Sequence, residues 1–258
     1  MRYTLALLAI VLLVFVSCQS TTTPGKPSVT YAPTDNGAML RLTWPAVTDA
    51  EGYYIYLDGT KDTTITGSGT ITYDVAGPAK EIEVSAYNGS EESDAWTLDL
   101  TPVSTPTLTV YGASDPASDH PSGLALKDAG AVALAIGEAA NKPDIDYVFD
   151  DRGSFTPMSM VNPGDYDPQI NSKGNAISLV TTGQFDDEDF ALAPGNYDTK
   201  RIPVAQGGVY YLWLDRNNDN YSTDDHFAKI QIISIAGTTV TIKVAYQKEP
   251  GLRWVVTP

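Results

Sequence analysis

The chain has one cysteine, two histidines and half as many basic residues as acidic ones. Each scarcity closes a route. Cys18 has no partner within the chain, so no internal disulfide supports the fold and stability must come from packed cores. Sixteen Lys and Arg stand against 32 Asp and Glu, a net charge of −16 with no basic stripe. That excludes nucleic acid as a partner, because affinity for phosphate backbones rests on clustered cations. His120 and His226 are too few for a histidine-rich metal centre. G-x-S-x-G, H-E-x-x-H, a phosphate-binding loop and a cysteine nucleophile are all missing, so a non-catalytic protein is expected. A carboxylate-pair glycosidase, or another weak hydrolase, is the enzymatic alternative, since the pairing of acids is spatial. Apolar runs long enough to cross a bilayer are lacking too. The longest, Leu5–Val16, suits the core of a secretory leader and falls short of the ~20 residues a spanning helix needs.

That run follows Arg2 and ends in Phe15-Val16-Ser17-Cys18; the polar stretch Gln19-Ser20-Thr21-Thr22-Thr23-Pro24-Gly25 comes next. Val16-Ser17-Cys18 resembles the lipobox of bacterial lipoproteins, with Phe15 where leucine is usual. The resemblance implies cleavage before Cys18 and a diacylglycerol on its sulfur, hence a partner in the membrane. It also implies a place in the cell envelope, at the outer membrane or cell surface, because Gln19 is not an acidic retention residue. The alternative is an ordinary secretory leader with a chance cysteine.

Downstream the pattern is all-β: two β-sandwich-like domains in tandem after the leader. The expected boundaries are a signal peptide at 1–17, a lipidated tether at 18–25, a first sandwich at 26–101, a proline-stiffened linker at 102–106 and a second domain at 107–258. Met39–Trp44, Tyr53–Leu57, Thr70–Val75 and Glu81–Tyr87 read as strands separated by turn pairs such as Asp58-Gly59 and Asn88-Gly89. In Glu81–Tyr87, alternation puts Ile82, Val84 and Ala86 on one face. Leu42-Thr43-Trp44, Ala50–Tyr56 and Val84–Gly89 together resemble the fibronectin type III pattern, which implies that Trp44 is core. The tyrosine that the family carries near the start of the last of these strands is absent, with Lys80 and Ile82 there instead.

In the second domain, Thr107–Tyr111, Ala131–Ile136, Ile145–Phe149 and Ile177–Thr181 read as strands. Val209–Leu214, Phe227–Ile235 and Thr239–Tyr246 form a closing meander that turns at Ala236-Gly237, with Lys229, Gln231 and Ser234 on a wet face. Gly207–Tyr210, His226–Ile232, Val244–Gln247 and Asp144–Phe149 are similar to HmuY-type bacterial lipoproteins, an all-β, envelope-anchored family in which some members bind haem. Neither histidine maps onto a ligand position of that family.

Two constellations remain. Asp215, Asn217 and Asp219, followed by Asp224 and Asp225, resemble the start of a D-x-N-x-D calcium loop, with Asn220 where glycine is expected and no closing glutamate. The favoured reading is a solvated hairpin tip; no cofactor is firmly expected, and calcium is the candidate. The run Asp186-Asp187-Glu188-Asp189 reads as a solvated turn or a second cation site. Fifteen tyrosines and four tryptophans also suggest a stacking surface, with Tyr54, Trp96 and Trp213 as candidates; if Tyr53 and Ile55 face the core, Tyr54 and Tyr56 face out. The expected role is binding or scaffolding at the cell surface, with a glycan, haem or a protein as ligand.

Overall fold

The computed structural model describes residues 22–257 except 116, 118, 153–157, 171–173, 179–180, 182, 199–200 and 216–219. Cys18 lies outside the described residues.

The first half is a sandwich of two antiparallel sheets. One is ordered β1-β2-β5, from β1 (Thr30–Thr34), β2 (Met39–Pro45) and β5 (Thr70–Val75). The other is ordered β4-β3-β6-β7, from β3 (Gly52–Leu57), β4 (Thr60–Ile65), β6 (Glu81–Asn88) and β7 (Glu91–Glu92), with β8 (Trp96–Asp99) also on β6. Alternation explains the layers. Leu40, Leu42 and Trp44 of β2 point inward to meet Tyr53 and Ile55 of β3 and Ile82, Val84 and Ala86 of β6, all buried. Trp44 packs edge-on to Tyr53 at 5.4 Å. The Tyr53 hydroxyl accepts a hydrogen bond from the Val47 amide at 2.7 Å, so this buried tyrosine has its polar end satisfied.

The second half pairs two five-stranded antiparallel sheets. Its strands are β9 (Val103–Tyr111), β10 (Gly123–Lys127), β11 (Gly130–Leu134), β12 (Tyr147–Asp150), β13 (Ser159–Val161), β14 (Ala176–Ile177), β15 (Arg201–Pro203), β16 (Val209–Leu214), β17 (His226–Ala236) and β18 (Thr239–Tyr246). They are ordered β11-β10-β12-β13-β15 and β14-β16-β17-β18-β9. A single-turn helix, α1 (Pro163–Tyr166), is capped by the Asn162 side chain. Between the sheets lies an apolar core that includes Phe149, Met160, Leu212, Ile230 and Ile242. The buried Tyr147 hydroxyl of β12 reaches the carbonyls of Ala176 (3.1 Å) and Trp213 (3.0 Å), tying one sheet to the other.

Three features differ from the sequence reading. The expected linker at 102–106 is mostly strand: β9 starts at Val103 and pairs with β18 as far as Tyr246. The proline at 106 is tolerated because β9 is the edge strand of its sheet. Second, Lys229 is not on a wet face but fully buried, because residues 185–191 and 255–257 cover that side of β16 and β17. Third, the C-terminal tail crosses between the sandwiches. Leu252 and Trp254 belong to the core of the first sandwich, whereas Val255 packs on the second beside Tyr211, Trp213 and Phe227. The Trp254 indole donates to the Ala38 carbonyl at 3.1 Å, the Arg253 amide donates to the Gly37 carbonyl at 3.0 Å, and the Gln247 side chain donates to the Leu100 and Trp254 carbonyls at 3.1 and 2.6 Å. Gly37 has φ +80°, and any Cβ there would run into the Gly251 carbonyl, so the junction requires glycine at this position.

Candidate functional site

A cavity of the second sandwich opens where its two sheets end near the junction. Its volume is about 510 Å³, and Leu126, Lys127, Asp128, Asp144, His226 and Tyr246 line it. Sheet geometry brings these residues together. His226 opens β17, and Tyr246 closes the neighbouring β18. Lys127 and Asp128 come from the turn between β10 and β11, and Asp144 from the approach to β12. The His226 ring stacks on Tyr246 at 5.3 Å, with 22° between the planes. Its Nδ1 lies 3.2 Å from the Gln247 carbonyl, a contact that favours the tautomer with hydrogen on Nδ1. The Lys127 ammonium donates to Asp144 at 2.7 Å. The wall therefore carries a Lys127–Asp144 pair whose charges cancel locally, with Asp128 beside it, and one stacked ring pair. Such a wall hydrogen-bonds a neutral, hydroxyl-rich molecule well. It lacks the two broad apolar faces that a haem requires.

A second cavity, about 270 Å³, lies near the turn between β17 and β18. Here the His120 ring stacks on Tyr111 at 3.8 Å and nearly parallel, with its Nδ1 2.9 Å from Asp115. Asp115 also accepts a hydrogen bond from the Thr238 hydroxyl at 2.6 Å; that bond, then the Ala117 amide and His120, holds its carboxyl below the ordinary range.

The stacking candidates fall in three different environments. Tyr54 faces outward on β3 as expected, but both faces of its ring are taken: Tyr87 stacks on one at 4.3 Å, and the Lys61 ammonium sits 3.1 Å from the ring centre. Trp96 is half-buried at the sandwich edge, 6.2 Å from the exposed Tyr31. Trp213 is not a surface ring. It is buried against Phe227 and Val255, and its indole donates to Asp225 at 3.0 Å. The sequence reading missed this because β16 is covered on both faces, so all six of its residues are buried and alternation carries no information.

Of the calcium candidates, Asn217 and Asp219 lie outside the described residues. Asp215 and Asp225 are buried, and Asp224 is exposed. Asp225 closes its own loop: it accepts the Trp213 indole, the Ser222 amide at 2.9 Å and the Ser222 hydroxyl at 3.3 Å. Burial, reinforced by nearby Asp215, lifts its carboxyl above the ordinary range despite those bonds. Among the described residues no cluster of three or more His, Cys, Asp or Glu has a metal-holding arrangement.

The acidic run at 186–189 is not simply a solvated turn. Lys229 donates to the Phe185 and Glu188 carbonyls, each at 2.7 Å, and to the Thr257 hydroxyl at 2.6 Å. Tyr211 donates to Glu188, and Lys243 pairs with Asp186 at 3.0 Å. The run thus wraps a cation that the chain itself supplies.

The cavity residues went unrecognised as a set in the sequence because they come from strand ends and turns far apart in the chain; the only local signal was a histidine at the start of an apolar strand. No protein-family model matches the chain, and no curated protein does. Among solved structures it is similar to a DUF4466 family protein from Parabacteroides merdae, at 11% identity and TM-score 0.41, over 87% of this chain and 99% of that one. A more distant likeness is to a GH family 64 laminaripentaose-producing beta-1,3-glucanase from Paenibacillus barengoltzii, at 10% identity and TM-score 0.18, over 82% of this chain and 57% of that one. The described residues form an all-β architecture of four antiparallel sheets in sandwich-like layers.

Proposed function

We propose that the chain is a non-catalytic lipoprotein of the cell envelope, anchored through Cys18, that captures a glycan in the cavity beside His226. The first sandwich serves as spacer. A fibronectin type III-like reading of it is supported by its division into β1-β2-β5 and β4-β3-β6-β7 and by Trp44 in its core. The observation that carries the ligand class is the cavity wall: a locally neutralised Lys127–Asp144 pair, Asp128, and a histidine stacked on Tyr246. Sugars present many hydroxyls and no net charge, which suits paired donors and acceptors beside an aromatic stack. Haem suits the wall less well, and no nucleophile with an adjacent base is arranged there.

The test is a glycan array probed with the leaderless protein, followed by titration calorimetry on any oligosaccharide that scores. His226→Ala and Asp144→Ala should each weaken binding at least about tenfold, the loss of one or two good polar contacts. Tyr54→Ala should leave it unchanged. Binding that survives both cavity substitutions refutes the site; silence across the array refutes the ligand class. Anchoring is checked separately by radiolabelled palmitate in the native host, where Cys18→Ser should abolish incorporation.

A further inference from the structure

We infer that one end of the first sandwich, formed by residues 46–51 and 88–91, faces the bilayer, with the second sandwich held on the far side. This rests on the lipid anchor proposed at Cys18. The observation behind it is that the chain is already docked five residues after that cysteine. The Thr23 hydroxyl donates to Glu91 at 3.2 Å, Pro24 and Pro27 are buried, and Gly25 lies against Val47. Thr23, Pro24 and Gly25, expected to be part of a free tether, are therefore laid down on the sandwich. Only positions 19–22 separate the anchor from this docked segment, at most about 18 Å even when fully extended.

The docked segment marks one particular end. The loop after β2 and the hairpin after β6 meet there, tied by the Gly89 amide donating to Glu51 at 3.0 Å and the Glu51 amide donating to the Tyr87 carbonyl at 2.8 Å. The opposite end holds Gly37, Ala38 and Leu100, which receive the tail from the second sandwich. Strands as long as β6 separate the two ends by about 25 Å. Asp49, Glu51 and Glu91 on the near end are exposed, and burying such carboxylates in hydrocarbon is costly, so this end rests at headgroup level without inserting. The His226 cavity then opens at the waist of the molecule, and the His120 cavity, beside the Gly237 turn, at the tip farthest from the membrane.

The test uses the chain from Cys18 onward, coupled through its sole thiol to a maleimide lipid in phosphatidylcholine nanodiscs doped with a gadolinium-chelate lipid. Amide signals of residues 46–51 and 88–91 should relax about tenfold or more faster than those near Gly237, given the steep distance dependence over two stacked sandwiches. Equal relaxation at the two tips, or a maximum near Asp225 and Gly251, overturns the orientation. Because the coupling is chemical, that result stands whether or not palmitate labels the protein in its host, so failure of the anchor and failure of the orientation are read apart.

Discussion

Lys229 lies on a strand face that alternation alone would leave wet, yet its side chain is fully buried and each ammonium proton has an oxygen. Burial pulls its pKa down to about 8. The folded value lies below the unfolded one, so in the window from about 8 to 10.5 the unfolded chain binds the extra proton, and stability rises with pH there. Lys229→Met should cost about 2–4 kcal/mol, because it strands buried carbonyls. The gap in Tm between the native chain and this variant should widen from pH 7 to pH 9.5. Calorimetry across that range checks it; a gap that stays constant would place the lysine in a wetter setting with an unshifted pKa, and one that narrows would mean a pKa raised on folding. Asp225 offers a complementary case. Its upward-shifted carboxyl accepts two N–H groups on one oxygen, an arrangement that an amide reproduces. Asp225→Asn should stay within about 1 kcal/mol of the native chain in urea unfolding, whereas Asp225→Ala should lose about 2–3 kcal/mol by leaving the buried Trp213 indole without an acceptor. If both variants lose equally, the carboxylate charge itself matters, as a cation-binding role would require.

At the scale of elements, the tail is the least ordinary. Trp254 fills the first sandwich from the far end of the sequence, and its indole bonds to a residue 216 positions away. Trp254→Ala should cost about 3–5 kcal/mol, the usual range for emptying a large buried aromatic site. Measured by tryptophan fluorescence in urea, it should lower the midpoint at which the first sandwich unfolds. The contrast with other elements shows what the sequence made legible. β2 and β6 could be read from Leu40-x-Leu42-x-Trp44 and Ile82-x-Val84-x-Ala86, because each has one wet face and the alternation survives. Tyr54 and Tyr56 were placed outward by the same logic, and both are half-exposed. β13, β14 and β15 have two or three residues each, too few to carry a period. The tail has no period either, since its residues alternate between two partners: Trp254 enters one sandwich and Val255 the other. The His226 cavity was illegible for a related reason: its walls are strand ends, where a side chain's role is set by a neighbour in another strand.

For the whole molecule, these contacts turn two sandwiches into one body. The Ala191 amide donates to the Arg253 carbonyl at 2.8 Å, and the Arg253 side chain donates back to the Ala191 carbonyl at 2.9 Å, while Trp254 and Leu252 sit in the other half. The native chain should therefore melt in a single transition, and Trp254→Ala should split it in two, with the first sandwich melting earlier; two transitions in the native chain would contradict the coupling.

The shared tail also orders events in time. A polypeptide leaves the ribosome amino end first, so the leading sandwich emerges before two of its core side chains, Leu252 and Trp254, have been made. It stays unfinished until the strands of the second sandwich have been made as well. Closure of the first sandwich therefore waits on a keystone made after every strand of the second.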